Sequence, residues 1–264
     1  MDKSNRKQFQ NDEEKLLIAK IKDKIRFCKT KNKIVNTDFL QISEVAIAKK
    51  ALLEEKISNY FFFGGRENSD RNILVIYPEK LTEEIVKSNI SNILGIIRIV
   101  LPNELNYEHR DYLSGIMKLG IKREKFGDIL VSDKGADIVV LKEVATFLIN
   151  GLSDLTRFRK SKIDIVNINE IENIEPEFEN IKIIVSSCRL DNFVSELANC
   201  SRNQAEIIID EQRVFINLEL QYKYSKKVNK GDIITIRGKG KFIYTDIERQ
   251  TKSGKFLVII KKYK

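Results

Sequence analysis

Residues 189–217 read RLDNFVSELANCSRNQAEIIIDEQRVFIN, and their periodicity decides the fold of the last third of the chain. Leu190, Phe193, Val194 and Leu197 fall at i, i+3, i+4 and i+7, the spacing of one apolar helix face. Asp191 then lies in the first turn, where the helix dipole favours a carboxylate. Ser201 with Gln204 three residues later is a capping-box pattern. It predicts a second helix with Ala205, Ile208 and Ile209 facing inward. Arg202 and Asn203 would open that helix, at an end whose free N–H groups suit a phosphate. Residues 214–217 (VFIN) predict a short strand, and GDIITIRGKG (231–240) predicts another that ends in a basic loop. Two helices and a small sheet would then surround one basic face bearing Arg189, Arg202, Arg213 and Lys239.

An Arg beside an Asp also suggests half of a catalytic site. A lone Asp needs a metal, a water or a partner base to do chemistry. The one histidine is His109, far along the chain, and no acidic cluster accompanies Asp191. The helical spacing accounts for the stretch without catalysis. Three scattered cysteines, Cys28, Cys188 and Cys200, form no CxxC pair. They give no disulfide framework and too little material for a zinc site. Neither a metal nor a cofactor is expected.

Charge points to a partner. The 264 residues carry a net +9, and residues 181–264 hold 17 Lys and Arg against 9 Asp and Glu. Nearly all the excess lies in that last third. Such a block implies a polyanion, nucleic acid before anionic membrane, although a solubilising Lys-rich surface has the same composition. No apolar run approaches the ~20 residues of a membrane span. The start, MDKSNRKQFQNDEEK, lacks the apolar core of a signal peptide, so the cytoplasm is the expected location.

Upstream, Leu17, Ile21, Ile25 and Cys28 predict an amphipathic helix over residues 12–27. A second helix is expected from Ser43, as N-cap, to about Asn59. YFFFGGRENSDRN follows, with Gly64-Gly65 breaking the aromatic run. It reads as a hydrophobic wedge closing a small helical domain or as a ribonucleoprotein contact. Strands at 73–78, 93–102, 126–132, 136–141 and 162–168 then alternate with helices at LTEEIVKSNI, 107–120 and 142–152. This α/β pattern predicts an RNA-recognition-like (ferredoxin-like) sandwich with an extra strand or helix. The 126–141 pair reads as a hairpin turning at 133–135. NEIENIEPEFEN (169–180) is acidic, contains a proline and reads as a linker. The expected division is a helical N-terminal domain (1–71), the sandwich (72–168), the linker (169–180) and a basic domain with a basic tail (181–264). The class is α+β.

Two motifs fail on spacing. His109-Arg110-Asp111 has the triplet of a kinase catalytic loop, but Ile116 stands where the Asn is needed. RGKGK (237–241) lacks the Gly and the Ser or Thr of a Walker loop, though its glycines let a phosphate chain approach closely. Lys122, Arg123 and Lys125 sit between a helix end and a strand. They are a second candidate RNA contact or simply a charged connection.

SSCRLDNFVSEL, SRNQAEIIIDEQRVFIN and VNKGDIITIRGKGKF occur in order over about residues 181–243. Together they resemble the alpha-L RNA-binding domain of the ribosomal-protein S-four type. HRDYLSGIMKLGIKREKFGDILV, with FFFGGRENSDRNILVIYP, looks like the YlmH family of ribosome-associated proteins, a resemblance that covers nearly the whole chain. It implies RNA-facing side chains at Arg189, Ser201, Arg202, Asn203, Arg213, Arg237 and Lys239, with Lys241 beside them. One departure is visible. Such domains usually have Gly in the turn before the strand, where this chain has Asp210-Glu211-Gln212.

The resemblance implies a non-enzymatic protein, expected to be monomeric. It would bind ribosomal RNA and tRNA on the large subunit and serve rescue of stalled nascent chains. An RNA-modifying enzyme and a cell-division-linked scaffold are the alternatives. The first lacks the sequence for a synthase or methyltransferase site, since the single Leu-Asp pair lies inside the RNA-binding motif.

Overall fold

The computed structural model describes residues 3–67, 69–171 and 178–263, with side chains from residue 12 onward. The chain forms two compact units, Met1–Ile174 and Glu175–Lys264.

In the first unit a long helix α1 (Lys3–Lys31) precedes β1 (Val35–Asn36), β2 (Leu40–Gln41), α2 (Ile42–Glu54), β3 (Tyr60–Phe63) and β4 (Arg71–Ile76). β4 is central and antiparallel to the other three. Ile21, Ile25 and Cys28 of α1 meet Val45, Ala48, Ala51 and Leu52 of α2 and Leu74 and Ile76 of β4. Ser43 is not the cap of α2. Gln41 is, and the Glu44 carboxylate accepts the Gln41 backbone N–H at 2.6 Å. The capping pair is therefore Gln41 and Glu44, and Ser43 falls inside the first turn.

The sandwich follows. After the short helix α3 (Glu83–Ser88) come β5 (Leu94–Val100), α4 (His109–Lys118), β6 (Phe126–Ser132), β7 (Gly135–Leu141), α5 (Lys142–Asp154) and β8 (Lys162–Asn167). The strand order is β6-β7-β5-β8, antiparallel throughout. That is the split βαβ arrangement of a ferredoxin-like sheet, as expected. The expected extra strand is not part of it. Residues 71–76 complete the first sheet instead.

Why ILVI (73–76) reads as an unbroken apolar run is now plain. Leu74 and Ile76 face the helices α1 and α2, while Ile73 and Val75 face the second sheet. A strand buried on both faces has no reason to alternate. The ferredoxin-like sheet is sandwiched likewise. Ile97, Ile99, Ile138 and Val140 pack on Tyr112, Ile116 and Leu148 of its helices. On the other face Leu94, Ile96, Val139 and Leu141 pack on Phe39, Phe61, Ile73 and Val75.

Of the acidic stretch 169–180, residues 172–177 lie outside the described residues, and β9 (Phe178–Val185) begins before its end. β9 opens the second unit. Then come α6 (Leu190–Ala198), α7 (Arg202–Asp210), β10 (Val214–Ile216), β11 (Glu219–Leu220), β12 (Ile233–Ile236), β13 (Gly240–Gln250) and β14 (Phe256–Tyr263). The six strands pair in the order β11-β10-β12-β13-β14-β9, all antiparallel. The residues expected as a basic tail are the long β13–β14 hairpin, and β9 pairs with β14 along its whole length. Leu190, Phe193 and Val194 of α6 and Ala205, Ile208 and Ile209 of α7 fill the core over this sheet, with Leu197 at its edge.

Candidate nucleic-acid interface

Arg189 is the extended residue before α6, and Asp191 lies in the first turn. The dipole alone does not explain Asp191, because its side chain is 0% exposed. Arg189 donates two bonds to it, from Nε to Oδ1 at 3.1 Å and from Nη2 to Oδ2 at 2.8 Å. Arg202 Nη2 donates to Oδ2 at 2.6 Å, and the Asn192 backbone N–H donates to Oδ1 at 3.0 Å. Burial pushes the carboxyl pKa up. The hydrogen bonds and charges of Arg189 and Arg202 outweigh that and hold it below its ordinary value. One buried anion thus clasps two cations whose side chains stay 44% and 54% exposed, and a net positive charge faces solvent.

The corner between the helices sets the second half of the clasp. Asn199 takes the left-handed conformation at the end of α6 (φ 53°). Cys200 N–H donates to Ser195 O at 2.9 Å, and Ser195 Oγ donates to Cys200 O at 2.5 Å. Ser201 caps α7 by accepting the Gln204 N–H at 3.2 Å, the serine half of the expected capping box. Arg202 is therefore the first helical residue. It lies exposed with Ser201 and Asn203 at the N-terminus of α7.

Beside this corner is the turn 237–239. Lys239 acts on the Cys200 thiol, whose pKa burial raises and Lys239 pulls back down. Gly238 (φ 80°) and Gly240 (φ 125°) hold conformations that a side chain would strain. Arg237 and Lys239 point outward. Arg213 has another task. It donates to Arg237 O at 2.8 Å and to Glu211 Oε2 at 3.1 Å, bracketing the turn. Lys241 is held over the Tyr263 ring, 4.8 Å from its centre. Arg189, Ser201, Arg202, Asn203, Arg237 and Lys239 are thus exposed, Arg189 and Arg202 while paired to Asp191, whereas Arg213 braces the turn and Lys241 lies over a ring. The departure from glycine before β10 is also resolved. Gln212 occupies the left-handed region at φ 57°, where glycine is favoured.

The second candidate set, in the first unit, is mostly engaged within the protein. Lys125 Nζ bonds Asp38 at 2.8 Å and Glu143 at 2.9 Å. Arg123 Nη1 donates to Phe126 O at 2.7 Å and Gly127 O at 3.1 Å, and its guanidinium stacks 4.3 Å from the Phe126 ring centre. Burial, aided by the neighbouring Arg71, pushes the Arg123 pKa down to about 10 against the pull of Asp128 and Asp70. Lys122 alone of the three is exposed. Single-stranded RNA is commonly read on an open sheet by aromatic side chains. Here both faces of the ferredoxin-like sheet are packed, and Arg98, on the same face as Ile96, makes a bidentate pair with buried Asp137 at 2.8 and 2.7 Å. Asp111 of the His-Arg-Asp triplet accepts the Glu108 N–H at 2.9 Å as part of a helix cap. Among the described residues no group of His, Cys, Asp and Glu can hold a metal ion, and no helix is long and apolar enough to cross a membrane.

Sequence reasoning missed the clasp. Its signal was present in the Arg-x-Asp spacing with a second Arg eleven residues on, but burial of Asp191 is not readable from spacing.

Two RNA-binding domain models match parts of the chain. The family described as "Putative RNA-binding domain in YlmH" matches residues 92–172, and the S4 domain matches residues 188–234. The two matches occur in the order that the resemblance to YlmH-type RNA-binding proteins implies. Among particular proteins, the chain is 29% identical over 230 residues to "Ribosome-associated protein quality control protein P2" of Bacillus subtilis (strain 168), across 86% of this chain and 87% of that one. A solved structure, "Cell division protein ylmH from Streptococcus pneumoniae", superposes with a TM-score of 0.49 at 20% identity, over 62% of this chain and 95% of that chain. That likeness is too low to carry weight.

Proposed function

We propose that this protein is a non-enzymatic RNA-binding factor of the ribosome, gripping ribosomal RNA and tRNA on the large subunit and serving quality control of stalled nascent chains. The observation that carries the reading is the Arg189–Asp191–Arg202 clasp. It holds two half-exposed guanidiniums on one buried carboxylate at the start of two helices. Guanidiniums held in this way meet phosphates at little further entropic cost. Arg189, Ser201, Arg202, Asn203, Arg237 and Lys239 make the contact, with Lys122 as an outlying one; Arg213 and Lys241 support it. The relative's name, which covers a chain of matching length, points to the ribosome. The protein acts as a monomer in the cytoplasm. It performs no catalysis, and turnover of S-adenosylmethionine or modification of uridine in RNA would overturn that.

The test is co-sedimentation with large ribosomal subunits, wild type against Arg202→Ala, across a salt series. Log affinity for the wild type falls linearly with log salt, because bound phosphates release counterions. Arg202→Ala binds more weakly and its slope is shallower by about 0.7–0.9, one phosphate contact. The substitution lowers stability only by about 1 kcal/mol, since Arg189 still pairs Asp191. Absence of ribosome or RNA binding in the wild type, or binding that survives nuclease, overturns the reading.

A further inference from the structure

We infer that Tyr222 is a stacking platform for an unpaired RNA base, a contact that deepens the RNA-binding reading above and rests on it. Residues 221–230 read QYKYSKKVNK, four lysines and no acid, between β11 and β12. This segment is built onto the clasp. Tyr224 O accepts the Asp191 N–H at 3.1 Å and Lys226 O accepts the Leu190 N–H at 2.9 Å. Lys227 bridges to Arg189 in antiparallel register, and Val228 N–H donates to Cys188 O at 2.9 Å. The loop therefore lies along the N-terminus of α6, next to the residue that opens it.

Two anchors decide which side chains are left outside. Tyr224 packs against the core and donates its hydroxyl to Asp210 Oδ1 at 2.6 Å. Val228 is buried. Lys226 N–H closes a turn onto Lys223 O at 3.0 Å. With Tyr224 turned in, Tyr222 faces out and is 65% exposed, while Lys223, Lys226 and Lys227 are exposed beside it. Lys230 is spent on Asp246 at 2.6 Å.

A lone surface tyrosine is ordinary. A tyrosine set among cations on a loop whose residues 224–228 are tied to the start of α6 has the composition of a single-strand site. There lysines track phosphates and a ring face takes a base. The covered face of the ferredoxin-like sheet strengthens the case, because that sheet offers no open ring for the purpose.

The test uses the full chain and two labelled RNAs of equal phosphate count, a hairpin with an unpaired loop and a blunt duplex, read by fluorescence anisotropy. Tyr222→Ala should weaken hairpin binding roughly 5- to 150-fold, the range of one lost base–aromatic stack. It should leave duplex binding and the salt slope unchanged, and Tyr222→Phe should restore hairpin affinity. A wild type that binds the hairpin while Tyr222→Ala binds it equally well overturns the inference and leaves the RNA-binding reading standing. Equal loss on both RNAs also overturns it. A wild type that binds neither RNA overturns both readings.

Discussion

Replacing Asp191 with Asn keeps the shape of the side chain and removes its charge. The carboxylate takes three bonds from guanidinium groups. A hydrogen bond to a charged group contributes about 1.5–3 kcal/mol, so three at the low end give about 4–5 kcal/mol. Arg189 and Arg202 are about half exposed and regain water when released, which returns more than half of that. The expected loss for Asp191→Asn is therefore about 2 kcal/mol at neutral pH, against a total of about 5–15 kcal/mol for an ordinary domain.

The sign with pH follows from the lowered carboxyl pKa. A group whose pKa is lower folded than unfolded contributes stability above its unfolded value, near 3.9, and loses it as pH falls through the folded value. The gap between wild type and Asp191→Asn should hold from pH 7 to about 4 and shrink below that. Urea unfolding followed by circular dichroism measures it. Equal stability of the two proteins at pH 7, or a gap that stays constant down to pH 3, would refute the clasp as a charged pair.

Two more outcomes are expected. Gln212→Gly should raise stability by up to about 1 kcal/mol, because it relieves a left-handed residue; an unchanged or lower melting temperature would count against strain there. Gly127→Ala should cost about 1–3 kcal/mol, since its Cβ would stand 2.7 Å from the buried Phe39 ring; a melt equal to wild type would show that the ring moves aside.

Much of this fold is legible in one dimension. The helices at α6 and α7 follow from Leu190, Phe193, Val194, Ala205 and Ile208 at helical spacing, and Ser201 marks the second start. The βαββαβ order of the sandwich follows from alternating patterns separated by short turns. These signals are local, set by residues a few positions apart. What failed was non-local. β9 pairs with β14 about 75 residues on, and lysines within FLVIIKKY made that strand look like a tail. Strand β4 read as part of the sandwich because its apolar run fits either sheet.

The candidate interface divides in the same way. Sequence alone named the cations and the cap at Ser201, since residue type and short spacing determine both. Only the tertiary structure decided which cations remain available. It buried Asp191 and so joined Arg189 to Arg202, turned Arg213 into a bracket, engaged Arg123 and Lys125 within the first unit and left Tyr222 exposed on the loop that is tied to the start of α6. The reason is physical. A charge's role depends on what lies within a few ångströms and on whether water reaches it, and chain folding sets both across separations that no local pattern records.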